Sequence, residues 1–571
     1  MCGIAGAYGP ADIRAMIRTL THRGPDDEGF YVDGPLQFGA RRLAIIDLNT
    51  GHQPLSTATG SHWITYNGEL FNYLEVRKEL EQQGFRFNTS SDTEVVVTAY
   101  QAWGARCLER FVGMFAFAIW DGREIFIARD RLGEKPLYYW SMGGRFLFAS
   151  EIKALLVEVE PEPSLDDRFA VLEASLEPDT LFRGIRALEP GCFLTFDGSS
   201  VKVSRYWKIP EESHDRRSPG ELAEELRSLL TEAVRLRLRS DVPVGLFLSG
   251  GLDSSLLAAM ARPTKTFSCH LPYGPAYDEL SYAQTMRDAL GCEMHTVTVT
   301  PEDFRRDFPA VIWHLEQPIG TTSSIAEFAL ARLASQHVKV AIGGQGSDEA
   351  FGGYVRYALL AEEERLGQSS LFREYHPLAR ILWGSDVFGP PADRYFSLIR
   401  RGIGSTAALE EVRNIFGRSG SLVDKMGATD FRMTFPSLIT MNDRASAAFG
   451  VENRTPFLDH RVVEFAFRLP QALKIQGSQT KILLRQAARG LVPDSIIDCR
   501  EKRGLGVPVG RWLANELKDW ADDLTQSLRR RGIRLDPAQD RGEFDRTLFT
   551  QVSLELWFQT FIDGRGRGPI Q

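Results

Sequence analysis

A chain of 571 residues is longer than one hydrophobic core organises, and 43% apolar with 25% charged residues is the balance of a globular protein built from several domains. A net charge of −8 leaves no cationic excess to displace counterions from a nucleic acid, and no run reaches the ~20 apolar residues that span a bilayer. The N-terminus lacks the basic start and apolar middle of a secretory signal, so a cytoplasmic location is expected.

The chain begins Met1-Cys2-Gly3-Ile4-Ala5-Gly6. Methionine before a small residue is a substrate for aminopeptidase removal, which leaves Cys2 with a free α-amine. That amine titrates near ~7.7–8.0 and a thiol near ~8.5, so the amine can act as the thiol's own base. The other five cysteines are scattered without C-x-x-C spacing and read as small buried hydrophobes; neither a disulfide framework nor a zinc cluster is indicated. His22-Arg23-Gly24-Pro25-Asp26 is a rigid polar turn. Arg41 to Asp47 reads as a strand opening on guanidinium groups, and Arg42 suits bidentate capture of a carboxylate. Tyr66-Asn67-Gly68-Glu69 ends another apolar strand, where the Asn67 amide and the Gly68 N–H can stabilise an oxyanion. Ser91-Asp92-Thr93-Glu94 caps the helix running through Val95, Val96, Tyr100 and Trp103. Alternating runs at Gly113–Trp120, Ile125–Ala128, Pro136–Trp140 and Arg145–Ala149 predict strands joined by short turns. The domain closes near Arg205-Tyr206-Trp207, and 210–220 reads as a linker.

In this order the motifs of residues 2–207 resemble the class II glutamine amidotransferase domain, which implies an αββα Ntn-type sandwich. The resemblance makes Cys2 the nucleophile and its α-amine the base. It implies Arg42 for the α-carboxylate of glutamine, Glu69 with Asp92 for its α-amino group, and Asn67 with Gly68 for the oxyanion hole.

The second domain, 218–560, opens with a leucine-rich amphipathic helix at Glu221–Arg239. The apolar run Val242 to Leu248, the turn Ser249-Gly250-Gly251 and the helical Leu252-Asp253-Ser254-Ser255 onward read as strand, tight turn, helix. First-turn N–H groups at such a corner lack intrahelical partners and favour anions, while glycines let a phosphate reach the backbone. Asp253 suits Mg2+ held against that phosphate. Alternating segments from Lys265 to Gly343 predict a doubly wound parallel sheet, with ligands beyond its carboxyl ends. A second glycine turn, Gly343-Gly344-Gln345-Gly346-Ser347-Asp348-Glu349, follows; Asp348 is expected to complete the metal site with Asp253. The run Arg529-Arg530-Arg531 with Arg534 reads as a solvated turn, and the chain from Gly504-Leu505-Gly506-Val507-Pro508 onward as helical packing.

The first glycine turn resembles the pyrophosphate loop of the N-type ATP pyrophosphatases, and the order of motifs resembles the asparagine synthetases, whose fold is an adenine nucleotide α-hydrolase-like sheet with added helices. The resemblance implies ATP binding by Leu248, Ser249, Gly250, Gly251, Asp253, Ser254, Ser255, Gly344 and Lys481. Lys481, alone a snorkelling residue on an apolar helix, would neutralise the leaving pyrophosphate. An acceptor pocket would include Gln345 and Glu452, near 317–323. At position 345 the glutamine-dependent enzymes of that family carry a glutamate thought to handle the proton lost by ammonia; an amide cannot take up a proton near neutral pH. The amidated substrate is therefore expected to differ from aspartate.

These readings converge on an amide synthetase using glutamine, ATP, Mg2+ and a carboxylate acceptor; the resemblance implies a tunnel between the two sites, which Gly113-Met114-Phe115-Ala116 would help line. A homodimer is compatible with it. The activity the resemblance implies is that of asparagine synthetase, aspartate to asparagine; the alternatives are amide or hydroxamate transfer to a non-aspartate carboxylate in specialised metabolism, a β-lactam synthetase-like cyclase, and a non-catalytic relative. The cyclases typically have a disabled glutaminase half, whereas Cys2, Arg42 and Asn67 are all present here.

Overall fold

A computed structural model describes the chain apart from residues 174, 212–214, 275–276, 319–320, 370–371, 373–374, 401–404, 500–505, 534, 536–545 and 569–571. Parts of the expected linker, of the 317–323 stretch, of the glycine turn at 504–505 and of the basic run at Arg534 lie outside the described residues.

The strands of the first domain are β1 (Gly3–Tyr8), β2 (Asp27–Asp33), β3 (Leu36–Arg42), β4 (Leu55–Ser56), β5 (Trp63–Leu70), β6 (Gly113–Trp120), β7 (Ile125–Arg129), β8 (Tyr138–Met142), β9 (Arg145–Ala149), β10 (Arg186–Ala187), β11 (Cys192–Phe196) and β12 (Val201–Arg205). They form two antiparallel six-stranded sheets, ordered β10-β8-β9-β1-β3-β2 and β12-β11-β7-β6-β5-β4. Strand alternation explains the layering. On β6, Ala116 and Ala118 face Ile4, Phe38 and Phe148 of the opposing sheet, while Phe115, Phe117 and Ile119 face the helices Tyr73–Gln82 and Asp92–Trp103. Each of those aromatic side chains contributes roughly 1.5–3 kcal/mol by leaving water. The helix Ile13–Arg18 covers the far face through Met16 and Ile17, which gives the expected αββα order.

The second domain is built on β13 (Val244–Phe247), β14 (Lys265–His270), β15 (Glu293–Thr298), β16 (Val340–Ile342) and β17 (Glu452–Arg454), all parallel, in the order β15-β14-β13-β16-β17. The order reverses between β13 and β16, and the crevice beyond their carboxyl ends is where such sheets bind ligands. Leu226, Leu230, Leu256 and Leu257 cover one face of this sheet, with Leu246 and Ile342 beneath them. Val340 packs on Leu43, Ile45 and Ile46 of the first domain, so the two domains share apolar surface.

Two local expectations change, and one strand was not foreseen. Arg42 ends β3 rather than opening a strand, because residues 43–47 leave the sheet to form the turn that holds its guanidinium. β13 begins at Val244, past Pro243, which has no N–H for a ladder. The three-residue β17 is largely polar, and a series of helices between Val355 and Ala447 precedes it; neither shows a strand's periodicity.

Candidate active sites

Cys2 lies just ahead of β1 and is buried. Burial pushes its thiol up, against the pull of the terminal amine, a backbone N–H from Leu43 and Arg42. Gln53 Nε2 approaches the sulfur at 4.0 Å. With Met1 in place the Cys2 nitrogen is a peptide N–H, and the terminal amine belongs to Met1. That amine is fully buried 3.8 Å from Glu452 Oε2, and burial lowers it to about 6. Met1 Sδ fills the space beside Lys135 Nζ at 3.0 Å. Use of the Cys2 amine as a base therefore requires Met1 to leave.

Arg42 Nη2 donates to the carbonyls of Ile46 and Asp47 at 3.0 and 2.6 Å, which fixes the guanidinium at the floor of the site. Asn67 is completely buried on β5, yet neither its Nδ2 nor its Oδ1 has a hydrogen-bond partner. A buried amide without partners is costly, and a ligand that completes it is the usual reason for its survival. A Cβ on Gly68, whose φ is +155°, would stand 2.2 Å from the Met114 carbonyl, so only glycine keeps β5 against β6 there.

Asp92 does not cap its helix. Ser91 accepts from Thr93 N in that role, and Glu94 accepts the N–H groups of Asn88 and Thr89. Asp92 Oδ2 accepts from Leu70 N at 2.9 Å and leaves the carboxylate beside Glu69. Burial and this mutual proximity push Glu69 well above the usual range, and burial pushes Asp92 up as well. Two buried carboxylates that resist losing both protons are suited to receive an α-ammonium group.

At the second site, the helix Leu252–Ala261 starts directly on Gly251, so Asp253, Ser254 and Ser255 occupy its first turn. Gly250 has φ +87°, and a Cβ there would meet Ala283 N at 2.5 Å. Lys481 Nζ bridges the two sheet loops, 2.5 Å from Asp253 Oδ2 and 2.7 Å from Asp348 Oδ1. Burial works against its charge, but the two carboxylates outweigh burial and raise its pKa. Ser347 Oγ donates to Asp253 Oδ1 at 2.9 Å. Two carboxylates converging on one cation fit Mg2+, which typically takes one or two carboxylates and completes its shell with phosphate and water.

The crevice has two chambers sharing Ser249, Asp253, Glu279 and Asp348. One, of about 420 Å³, contains Lys481 and Arg485. The other, of about 300 Å³, is lined by Phe247, Phe267, Leu330, Phe435, Leu438 and Met441 together with Glu327, Gln345, Asn442 and Ser446. Among its described lining residues none is Lys, Arg or His. Anionic pyrophosphate suits the first chamber; an adenosine and an acceptor with an apolar body suit the second.

Glu452, expected beside Gln345, does not line this chamber. Alternation along β17 turns Glu452 and Arg454 toward the first domain, where Arg454 Nε holds Glu452 at 2.8 Å and Arg454 Nη2 holds Glu69 at 2.7 Å. Asn453 faces the other way: its amide lies with Gln345 Oε1 at Gly343, and its Nδ2 donates to Asn442 Oδ1 at 2.5 Å. Between the sites, Asp443 holds Lys135 at 3.1 Å and Arg23 at 2.9 Å, all buried. The described residues thus bring together Cys2, Arg42, Asn67, Gly68, Glu69 and Asp92 at one site, and Ser249 to Ser255, Gly344, Gln345, Asp348 and Lys481 at the other. Sequence reasoning missed Glu327, Asn442, Asn453 and Arg454. The last two lie on the short, polar β17, which offers no periodicity to read.

Residues 1–207 match the family model described as glutamine amidotransferase domain, and residues 225–557 the one described as asparagine synthase. The chain is 32% identical to the glutamine-hydrolysing asparagine synthetase 1 of Bacillus subtilis (strain 168), across 99% of this chain and 98% of that protein. It is 33% identical to a putative glutamine-hydrolysing asparagine synthetase of Mycobacterium bovis (strain ATCC BAA-935 / AF2122/97), again across 99% and 98%. Among solved structures, the glutamine phosphoribosylpyrophosphate amidotransferase of B. subtilis in complex with ADP and GMP is similar over 52% of this chain and 65% of that one, at 21% identity and a TM-score of 0.28. No helix among the described residues is long and apolar enough to cross a membrane. With both models matched in tandem, the chain belongs to the asparagine synthase family of glutamine-dependent amidotransferases.

Proposed function

We propose that the chain is a glutamine- and ATP-dependent amide synthetase whose acceptor is a carboxylate other than aspartate. The observation that carries the synthetase reading is Lys481 bridging Asp253 and Asp348 at the point where the strand order reverses. At the first site the Cys2 thiol, once Met1 is gone and its own amine takes the proton, attacks the carboxamide of glutamine. Asn67 Nδ2 and the Gly68 N–H receive the oxyanion, ammonia leaves, and water releases glutamate from the thioester. At the second site the acceptor carboxylate displaces pyrophosphate from the α-phosphate of ATP, since a free carboxylate is a poor electrophile and AMP makes a leaving group of its oxygen. Lys481 and Arg485 are placed to neutralise the departing pyrophosphate. Asp253 and Asp348 would hold Mg2+, which when bound supplies further charge neutralisation at the phosphates. Ammonia then passes the seam near Met114, which packs with Phe71 and Leu236, and displaces AMP.

The acceptor reading rests on the chamber with Gln345. Aspartate brings two carboxylates, and no described cation lines that chamber to receive the one not activated. A screen of carboxylates with ATP and ammonium chloride, read by AMP release, tests both parts. Release with a monocarboxylate of apolar body and little with aspartate supports the proposal. Brisk AMP and asparagine formation from aspartate removes the acceptor part, and no AMP from any carboxylate removes the synthetase reading.

A further inference from the structure

Joining ammonia to an acyl adenylate releases a proton, and the base that takes it must reach the nucleophile inside the apolar chamber. Gln345, at the mouth of that chamber, cannot do so. The chamber's other acids are nearly all engaged. Asp253 and Asp348 are held by Lys481 at 2.5 and 2.7 Å, and Glu349 accepts from Tyr354 Oη at 2.5 Å. Glu279, which directly precedes the helix Leu280–Leu290 and lines both chambers, is likewise partnered.

Glu327 differs. It sits in the first turn of the helix Ser324–Ser335, its side chain lines the chamber with Gln345, and its Oε2 is buried without a hydrogen-bond partner. The groups that interact with its carboxyl are neutral: Asn442 from the helix Phe435–Ala447 and Ser323 from the preceding turn. Asn442 in turn accepts from Asn453 at 2.5 Å, and Asn453 shares the Gly343 corner with Gln345. The amide oxygens of Gln345 and Asn453 are also buried without donors. Glu327 Oε2 and Gln345 Oε1, both on residues lining the chamber and both with unused lone pairs and no donor of their own, suit an N–H-bearing nucleophile.

We propose that Glu327 is the general base of the amide-forming step, a role its place in the chamber permits and Gln345 cannot fill. The ammonia lone pair forms the new C–N bond, the C–O bond to AMP breaks with its electrons going to the AMP oxygen, and the surplus N–H proton passes to Glu327, which returns it to solvent as product leaves. Burial holds the Glu327 carboxyl up at about 7, where a base is best matched to neutral pH.

This proposal rests on the synthetase reading, and the test separates the two. Full-length wild type, Glu327→Gln and Glu327→Asp are assayed with ammonium chloride as nitrogen source and, as acceptor, whichever carboxylate of the screen, aspartate included, yields AMP. Exchange of pyrophosphate into ATP stops at the adenylate, so in Glu327→Gln it stays within about threefold of wild type. Amide formation by the same protein falls by about 100-fold or more, and Glu327→Asp recovers part of it. With ammonium chloride adjusted to keep free ammonia constant, the wild-type rise in amide formation through pH about 7 disappears in Glu327→Gln. Exchange and amide formation falling together would show that Glu327 serves acceptor binding or folding, and neither falling would show that it is idle; each overturns the proposal. Absence of exchange in wild type would overturn the synthetase reading and this step with it.

Discussion

Arg454 Nη2 donates to Glu69 Oε2 at 2.7 Å, so a strand of the nucleotide-site sheet ends inside the glutamine pocket. The same guanidinium holds Glu452 at 2.8 Å and the carbonyls of Arg237 and Arg239 at 2.8 and 2.6 Å, in the seam between domains. Its own carbonyl accepts from Gly343 N at 2.9 Å, at the first residue of the turn that carries Gln345 and Asp348. The two sites are therefore joined by one side chain and one strand.

Arg454→Ala strands two buried carboxylates. Breaking a buried ion pair by removing one partner costs about 3–5 kcal/mol, so the variant is expected to melt well below wild type. Arg454→Lys keeps the charge but lacks the planar fork that serves both carboxylates, and falls between the two in a thermal melt.

Asn67 makes no hydrogen bond to lose. Asn67→Ala is expected to lower glutaminase kcat by about 100–1,000-fold, the loss typical of one oxyanion donor, with little change in melting temperature. Ammonia-dependent amide formation should stay near wild type. Equal loss of both activities would place Asn67 in the fold rather than in the oxyanion site.

Lys481→Met leaves Asp253 and Asp348 facing each other without their cation. Pyrophosphate exchange is expected to fall by about 100-fold or more, while glutamine hydrolysis persists. Raising Mg2+ should restore little, because Asp253 and Asp348, which would hold the metal, are unchanged in the variant and the charge lost is that of the side chain.

Glu349 is raised to about 7 by burial and by Asp348. Between about 4.5 and about 7 the native state keeps a proton that the unfolded chain has released, so stability declines as pH rises through that window and levels above it. Glu349→Gln removes this penalty. It should be the more stable protein at pH about 8, by on the order of 3 kcal/mol, and nearly equal to wild type below about 4.5. Part of the slope will remain, because Glu134 is likewise raised, to about 8. Melts across pH check the sign.

Much of this was legible before the structure. The strand-turn-helix at Ser249, with Gly250 supplying the positive φ, could be read from apolar runs and turn residues alone. Alternation marked strands of the first domain, and the family resemblance implied their arrangement in two sheets. What escaped had no local pattern. β17 is short and polar because it carries side chains in opposite directions to two different sites, so Glu452 was assigned to the wrong side of its own strand. Glu327 lies on a helix whose other residues pack normally, and its unpartnered oxygen appears only when the helix Phe435–Ala447 closes over it. Asp92 at a helix start looked like a cap until Ser91 was seen to cap and Leu70 N to claim the carboxylate.

The central claim is that nitrogen freed at Cys2 is spent on an acid activated at the Ser249 turn. Cys2→Ala, assayed with ATP and the accepted carboxylate, tests it most directly. The account predicts no glutamine consumption and no glutamine-dependent amide, with amide and AMP formation restored by ammonium chloride. Glutamine still consumed at the wild-type rate, or ammonium chloride failing to restore the amide in a folded protein, would contradict it.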